Sequence, residues 1–146
     1  MMLPLQLEIL GKSNSIDASC GSFDLRLLLV DDNEEITEVI TFYCGAKKDI
    51  DCQVVNNGPQ GLQRIRKEKF DLILLDVAMP GFSGWDILQS LKQDRLIEPM
   101  NIVVFTASSD QKLFNEMKNS GVKEVFKKPC SLDDLTELIE KYRPTT

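Results

Sequence analysis

The chain has 146 residues, 42% of them hydrophobic and 27% charged, with 23 acidic against 17 basic side chains and a formal net charge of −6. That length suits one domain whose core needs no staples, and the acidic balance argues against direct binding of nucleic acid. With no run of about 18 apolar residues no membrane span is expected, and the absence of histidine removes His-based triads, His-ligated zinc and any phosphohistidine carried by this chain.

Residues 1–23 open with alternating Leu3, Leu5, Leu7 and Ile9 and then turn small and polar (GKSNSIDASCGS). This is the composition of a flexible extension or linker, and it lacks the basic and long apolar regions of a secretory signal. One domain is expected over residues 24–146. It begins with LRLLLV at 25–30, a run of strand length, followed by Asp31, Asp32 and Asn33, which are good helix caps. Ile36, Val39, Ile40 and Tyr43 then recur at helical spacing to about Cys44 and Gly45. A second strand is expected at 52–55 and a helix at 58–69 with basic residues near its end. Residues 72–75 are continuously apolar, as in a strand buried on both faces. The loop MPGFSG leads to a helix at about 85–92, a strand at 102–105, a helix at 111–120 stopped by Gly121, a strand at 124–127 and a last amphipathic helix at 132–142.

Five strand–helix units imply an α/β fold, an open doubly wound (βα)5 sheet with all strands parallel. Periodicity leaves the strand order open. In such sheets ligands bind beyond the carboxyl ends of the strands, so the residues there matter most. They are Asp31 and Asp32 after the first strand, Asp76 after the third, Thr106 after the fourth and Lys128 with Pro129 after the fifth. Each alone has an ordinary reading as a cap or a turn. Together they converge on one edge, where three carboxylates repel one another unless a cation sits among them. A hard divalent ion such as Mg2+ suits oxygen ligands. Adding the Lys128 point charge and the Thr106 hydroxyl makes a site for phosphoryl transfer. The cysteines at 20, 44, 52 and 130 form no C-x-x-C pair and no zinc spacing. Cys44, Cys52 and Cys130, inside or beside apolar runs, are expected to be small hydrophobes, and the protein reduced and cytoplasmic.

The segments LLLVDDNEEI (27–36), DLILLDVAMPGFSGWDIL (71–88), VVFTAS (103–108) and VFKKPCSLDDL (125–135) resemble the response-regulator receiver domains of two-component signalling. The Asp-x-x-Met-Pro-x-x-x-Gly string from Asp76 to Gly84 is the most specific part, and the likeness runs over about 24–142. The resemblance implies a flavodoxin-like strand order 2-1-3-4-5. It implies that Asp76 is the phosphoacceptor, taking a phosphoryl group from a histidine kinase or histidine phosphotransfer protein. Asp32, Asp76 and the backbone carbonyl of Ala78 would bind Mg2+ directly, and Asp31 through a coordinated water. Lys128 would pair with one phosphoryl oxygen and Thr106 with another. Such a domain catalyses its own phosphorylation and slow dephosphorylation, binds a downstream protein target and sometimes homodimerises when phosphorylated. A degenerate receiver that docks proteins without phosphorylation is the alternative, although all five polar residues are intact.

Two positions depart from the family pattern. An aromatic residue usually stands three positions before the lysine, where this chain has Val125 with Phe126 beside it. Strand neighbours face opposite ways, so Phe126 is expected in the core. The switch group Thr106, Val125 and Phe126 then leaves activation to loop and backbone shifts. Ala78, two residues past the acceptor, lacks a side chain able to orient a water, which suggests a moderate to long phosphoryl lifetime; Ser108 is its counterpart past the threonine. An aspartyl-phosphate hydrolase would need an acid at position 78, and a flavin phosphate would be repelled by Asp31 and Asp32.

Overall fold

A computed structural model describes residues 23–107, 109–128 and 131–144. The expectations for the N-terminal extension, Ser108, Pro129 and Cys130 lie outside the described residues. In chain order the elements are β1 (Leu25–Val30), α1 (Glu34–Gly45), β2 (Ile50–Val55), α2 (Gly58–Lys67), β3 (Leu72–Asp76), α3 (Gly84–Gln93), β4 (Ile102–Thr106), α4 (Gln111–Lys118), β5 (Glu124–Lys127) and α5 (Leu132–Lys141). The strands form one sheet in the order β2-β1-β3-β4-β5, and every pairing is parallel. This is the flavodoxin-like order that the resemblance implied.

Apolar content decides which strands are central. β3 and β4 are buried at every position and β1 at all but Arg26, because helices cover both faces of the sheet. On one face Leu28, Val30, Ile73, Leu75 and Val104 pack with Ile65 of α2 and Ile87, Leu88 and Leu91 of α3. On the other, Leu27, Leu29, Leu74, Val103 and Phe105 pack with Ile40 of α1 and Leu135, Leu138 and Ile139 of α5. β2 and β5 carry polar residues and form the edges.

The helix starts follow local capping chemistry. The Asn33 side chain accepts from the backbone N–H groups of Glu35 and Ile36 at 2.9 and 3.2 Å. Ser83 with Asp86 and Ser131 with Asp134 make reciprocal capping boxes at α3 and α5. The element bounds fall close to those expected, except that β2 begins at Ile50 and not at residue 52. Asp51 interrupts the apolar run, yet it pairs across the sheet with Arg26, whose Nε donates to Asp51 Oδ2 at 3.3 Å. The cross-strand ion pair keeps a polar edge residue in the ladder.

At the amino-terminal edge, Asp49 receives both ends of the described domain. Its carbonyl accepts from the Asp24 N–H at 2.8 Å, and its carboxylate accepts from Arg143 at 2.7 Å. No described helix is long and apolar enough to cross a membrane.

Candidate metal centre at the carboxyl edge of the sheet

β1 and β3 lie side by side at the middle of the sheet, so their last residues meet. Asp31 directly follows β1; its N–H continues the ladder to Val55 at 3.1 Å, and its side chain is fully buried. The Asn33 N–H donates to Asp31 Oδ1 at 2.8 Å, so the residue that caps α1 also holds this carboxylate. Asp76 ends β3 and is 4% exposed. The Val77 N–H bonds to Phe105 at 3.1 Å and the Ala78 N–H donates to Asp76 Oδ1 at 3.1 Å.

The loop that follows is drawn in tightly. Met79 is buried in the core beneath it, and Gly84 brings the start of α3 against the Asp76 backbone. A Cβ at position 84 would lie 2.2 Å from the Asp76 carbonyl oxygen, so only glycine permits this approach. Thr106 ends β4, buried at 2% exposure, and its carbonyl accepts from the Lys128 N–H at 2.7 Å.

Lys128 reaches in from the end of β5. Its Nζ lies 3.2 Å from Asp31 Oδ2 and 3.5 Å from Asp76 Oδ1. Asp32 is exposed, yet one carboxylate oxygen from each of Asp31, Asp32 and Asp76 lies within 4.8 Å of the others. Three carboxylates thus face one ammonium. Burial pushes the Asp31 carboxyl above its ordinary value; the Asn33 N–H opposes this, the Asp76 charge adds to it, and Lys128 again opposes it. Such a hard-oxygen donor set, negative in excess and partly open to solvent through Asp32, fits Mg2+.

Lys128 therefore contacts Asp31 and Asp76 directly and Asp32 lies beside them, with Thr106 buried at the adjoining strand end and Ala78 exposed in the loop after Asp76. Val125 and Phe126 face opposite ways. Val125 packs with the cluster under α3, whereas the Phe126 ring lies 5.9 Å from that of Phe105 at 45° on the other face. Sequence reasoning missed the cleft beside Asp31 and Asp32, lined by Glu34, Glu38, Asn56 and Gln60. The signal was available: Asn56 follows β2 and so belongs to the same carboxyl edge.

The sequence model of the response regulator receiver domain matches residues 27–140. Curated relatives include sporulation initiation phosphotransferase F of Bacillus subtilis, 34% identical over 88 residues that make 60% of this chain and 69% of that protein. The probable C4-dicarboxylate response regulator DctR of the same organism is 29% identical over 119 residues, 81% of this chain and 52% of that one. Hybrid signal transduction histidine kinase G of Dictyostelium discoideum is 31% identical over 126 residues, 84% of this chain and 4% of the kinase. The chain thus spans about half of DctR and a small part of the kinase. Among solved structures, the signal receiver domain of a putative Luxo repressor protein from Vibrio parahaemolyticus superposes with a TM-score of 0.72 at 26% identity, covering 82% of this chain and 90% of that one. The receiver domain of sensor histidine kinase PA1611 from Pseudomonas aeruginosa, with a magnesium ion coordinated in its active site cleft, shares the fold at a TM-score of 0.70 and 20% identity, covering 83% and 98%. The family model covers every strand end that supplies the acidic cluster and its lysine, and with it the chain belongs to the response regulator receiver domain family.

Proposed function

We propose that this domain is the phosphoacceptor of a two-component phosphorelay, taking a phosphoryl group onto Asp76 and changing its affinity for a downstream protein. The donor is a histidine kinase or histidine phosphotransfer protein. A carboxylate oxygen of Asp76 attacks phosphorus, the P–N bond to the donor histidine breaks, and the imidazole leaves neutral, its proton retained. The product is an acyl phosphate. Supporting this reading above all is one observation: Asp76 is buried, inside a three-carboxylate cluster, with a lysine ammonium 3.5 Å from its Oδ1.

Lys128 then meets one phosphoryl oxygen and Thr106 hydrogen-bonds another. Asp32, Asp76 and the Ala78 carbonyl would hold Mg2+, with Asp31 acting through a water. When bound, the ion neutralises charge between these carboxylates and the incoming phosphoryl oxygens. Phosphorylation adds negative charge and acceptor oxygens where Lys128, Thr106 and the cation would absorb them, and drawing Thr106 inward biases a two-state surface. With Val125 where the family has an aromatic residue, that signal passes through loop and backbone shifts. The reading takes residues 24–146 as the receiver unit, residues 1–23 as an extension and the cytoplasm as its setting.

The test is incubation with acetyl phosphate and Mg2+, wild type against Asp76→Asn. An acid- and base-labile phosphoryl adduct on the wild type alone is expected. No adduct on the wild type, or an equal one on both, refutes the assignment and leaves a phosphorylation-independent docking module.

A further inference from the structure

Two thiols meet in the core on the α1 side of the sheet, away from the acidic cluster. Cys44 lies in the last turn of α1 and is 2% exposed; Cys52 is the third residue of β2 and is partly exposed. Only residues 45–51 separate them in the chain. They belong to one apolar cluster, with Cys52 packed at its margin, on a helix and a strand that contact each other. Their side chains are close enough to interact directly. An aliphatic core gains nothing from placing its two sulfurs together, since a lone buried Cys packs as a small hydrophobe anywhere.

The two sulfurs are unequal. Cys44 is closed off from solvent, whereas Cys52 is partly exposed. Access to solvent gives Cys52 the place of an attacking cysteine, and buried Cys44 has the place of its resolving partner.

We propose that Cys44 and Cys52 form a reversible dithiol–disulfide site, oxidised by a hydroperoxide and reopened by thiol reductants. The Cys52 thiolate attacks one peroxide oxygen and the O–O bond breaks. With the proton that Cys52 gave up, this yields a sulfenic acid on Cys52 and one water or alcohol. The Cys44 sulfur then attacks the Cys52 sulfur, the S–O bond breaks, and hydroxide leaves with the Cys44 proton as water. Each sulfur gives one electron, and the peroxide is reduced by two. The new bond ties the last turn of α1 to the edge strand, on the helix whose first turn is fixed to Asp31 through Asn33. Transient disulfides of this kind occur in otherwise reducing compartments as redox sensors, and the site does not depend on the phosphoacceptor assignment.

The experiment treats the full reduced chain with equimolar hydrogen peroxide, alkylates it in urea and maps the tryptic peptides. The expected product is a monomer in which the peptides 27–47 and 49–64 are disulfide-linked, two of the four thiols are lost, and dithiothreitol restores both. Cys44→Ser should leave Cys52 as a dimedone-reactive sulfenic acid, and the doubly substituted Cys20→Ser, Cys130→Ser chain should keep the link. Retention of all four thiols, a link through Cys20 or Cys130, a link between chains, or Cys52 sulfenic acid accumulating on the wild type would each overturn the proposal. The decisive linkage is read on the wild-type chain, so a poorly folding variant does not blunt the test.

Discussion

Replacing Asp31 by Asn keeps the shape of the acidic cluster and deletes a charge from its most buried position. The Asp31 and Asp76 carboxylates lie within 4.8 Å, and at an effective dielectric of about 20 they repel by at least roughly 3.5 kcal/mol. Lys128, at 3.2 Å from Asp31, returns about 5 kcal/mol on the same scale. Exposed Asp32 adds a weaker, solvent-screened repulsion, so the Coulomb contributions nearly cancel. What remains is desolvation of a fully buried side chain, several kcal/mol before relaxation. Asn retains an acceptor for the Asn33 N–H and forfeits roughly 1 kcal/mol of charge assistance. The balance favours Asp31→Asn by about 1–3 kcal/mol in EDTA, a rise in Tm of roughly 4–10 °C for a domain of this size. Circular dichroism melts at low salt and pH 7 measure it. In Mg2+ the wild type should gain stability and the variant much less. A variant that melts below the wild type in EDTA would refute the reasoning, because Lys128 and Asn33 would then more than compensate the buried charge.

The same group sets a pH dependence. Its folded-state pKa lies above the ordinary 3.8, so its ionisation opposes folding; the Tm advantage of Asp31→Asn in EDTA should be absent below the ordinary value, grow as pH rises from there through the raised one, and level off above it. Gly84→Ala puts a methyl group 2.2 Å from the Asp76 carbonyl and should cost about 2 kcal/mol or more while weakening the Mg2+-induced shift in Tm; an unchanged denaturation midpoint would mean that the loop relaxes freely. Val125→Tyr should alter affinity for a protein partner while leaving the rate of Asp76 labelling by acetyl phosphate intact, and equal losses in both assays would show that the two are not separable at this position.

Much of this structure was readable before any coordinates. The continuous apolar run of β3 announced a strand covered on both faces, and the polar residues just past the strands located the carboxyl edge. Asn33, with Asp31 and Asp32, marked the start of α1 because capping is a local interaction, visible within four residues, and the same chemistry at Ser83 and Ser131 came into view only with the structure. β2 was read two residues short because Asp51 looks like a strand breaker until Arg26 is known to stand beside it. Strand order was beyond the pattern itself, since apolar content separates central strands from edges without ranking them, and it entered through family likeness. The Lys128–Asp31 contact joins residues 97 apart, and the meeting of Cys44 with Cys52 depends on how a helix lies on an edge strand. Neither leaves a trace in periodicity.

Asp49 gathers the first and last described segments on one small loop, at the end of the sheet opposite the carboxylates. Geometrically the domain is a bead with its thread entering and leaving through one hole. It can be spliced into a host polypeptide by short tethers without stretching either of them. Fused neighbours on both sides would crowd that pole and leave the acidic pole open to visiting proteins. A circularly permuted chain, rejoined there and opened elsewhere, should assemble the same acidic edge.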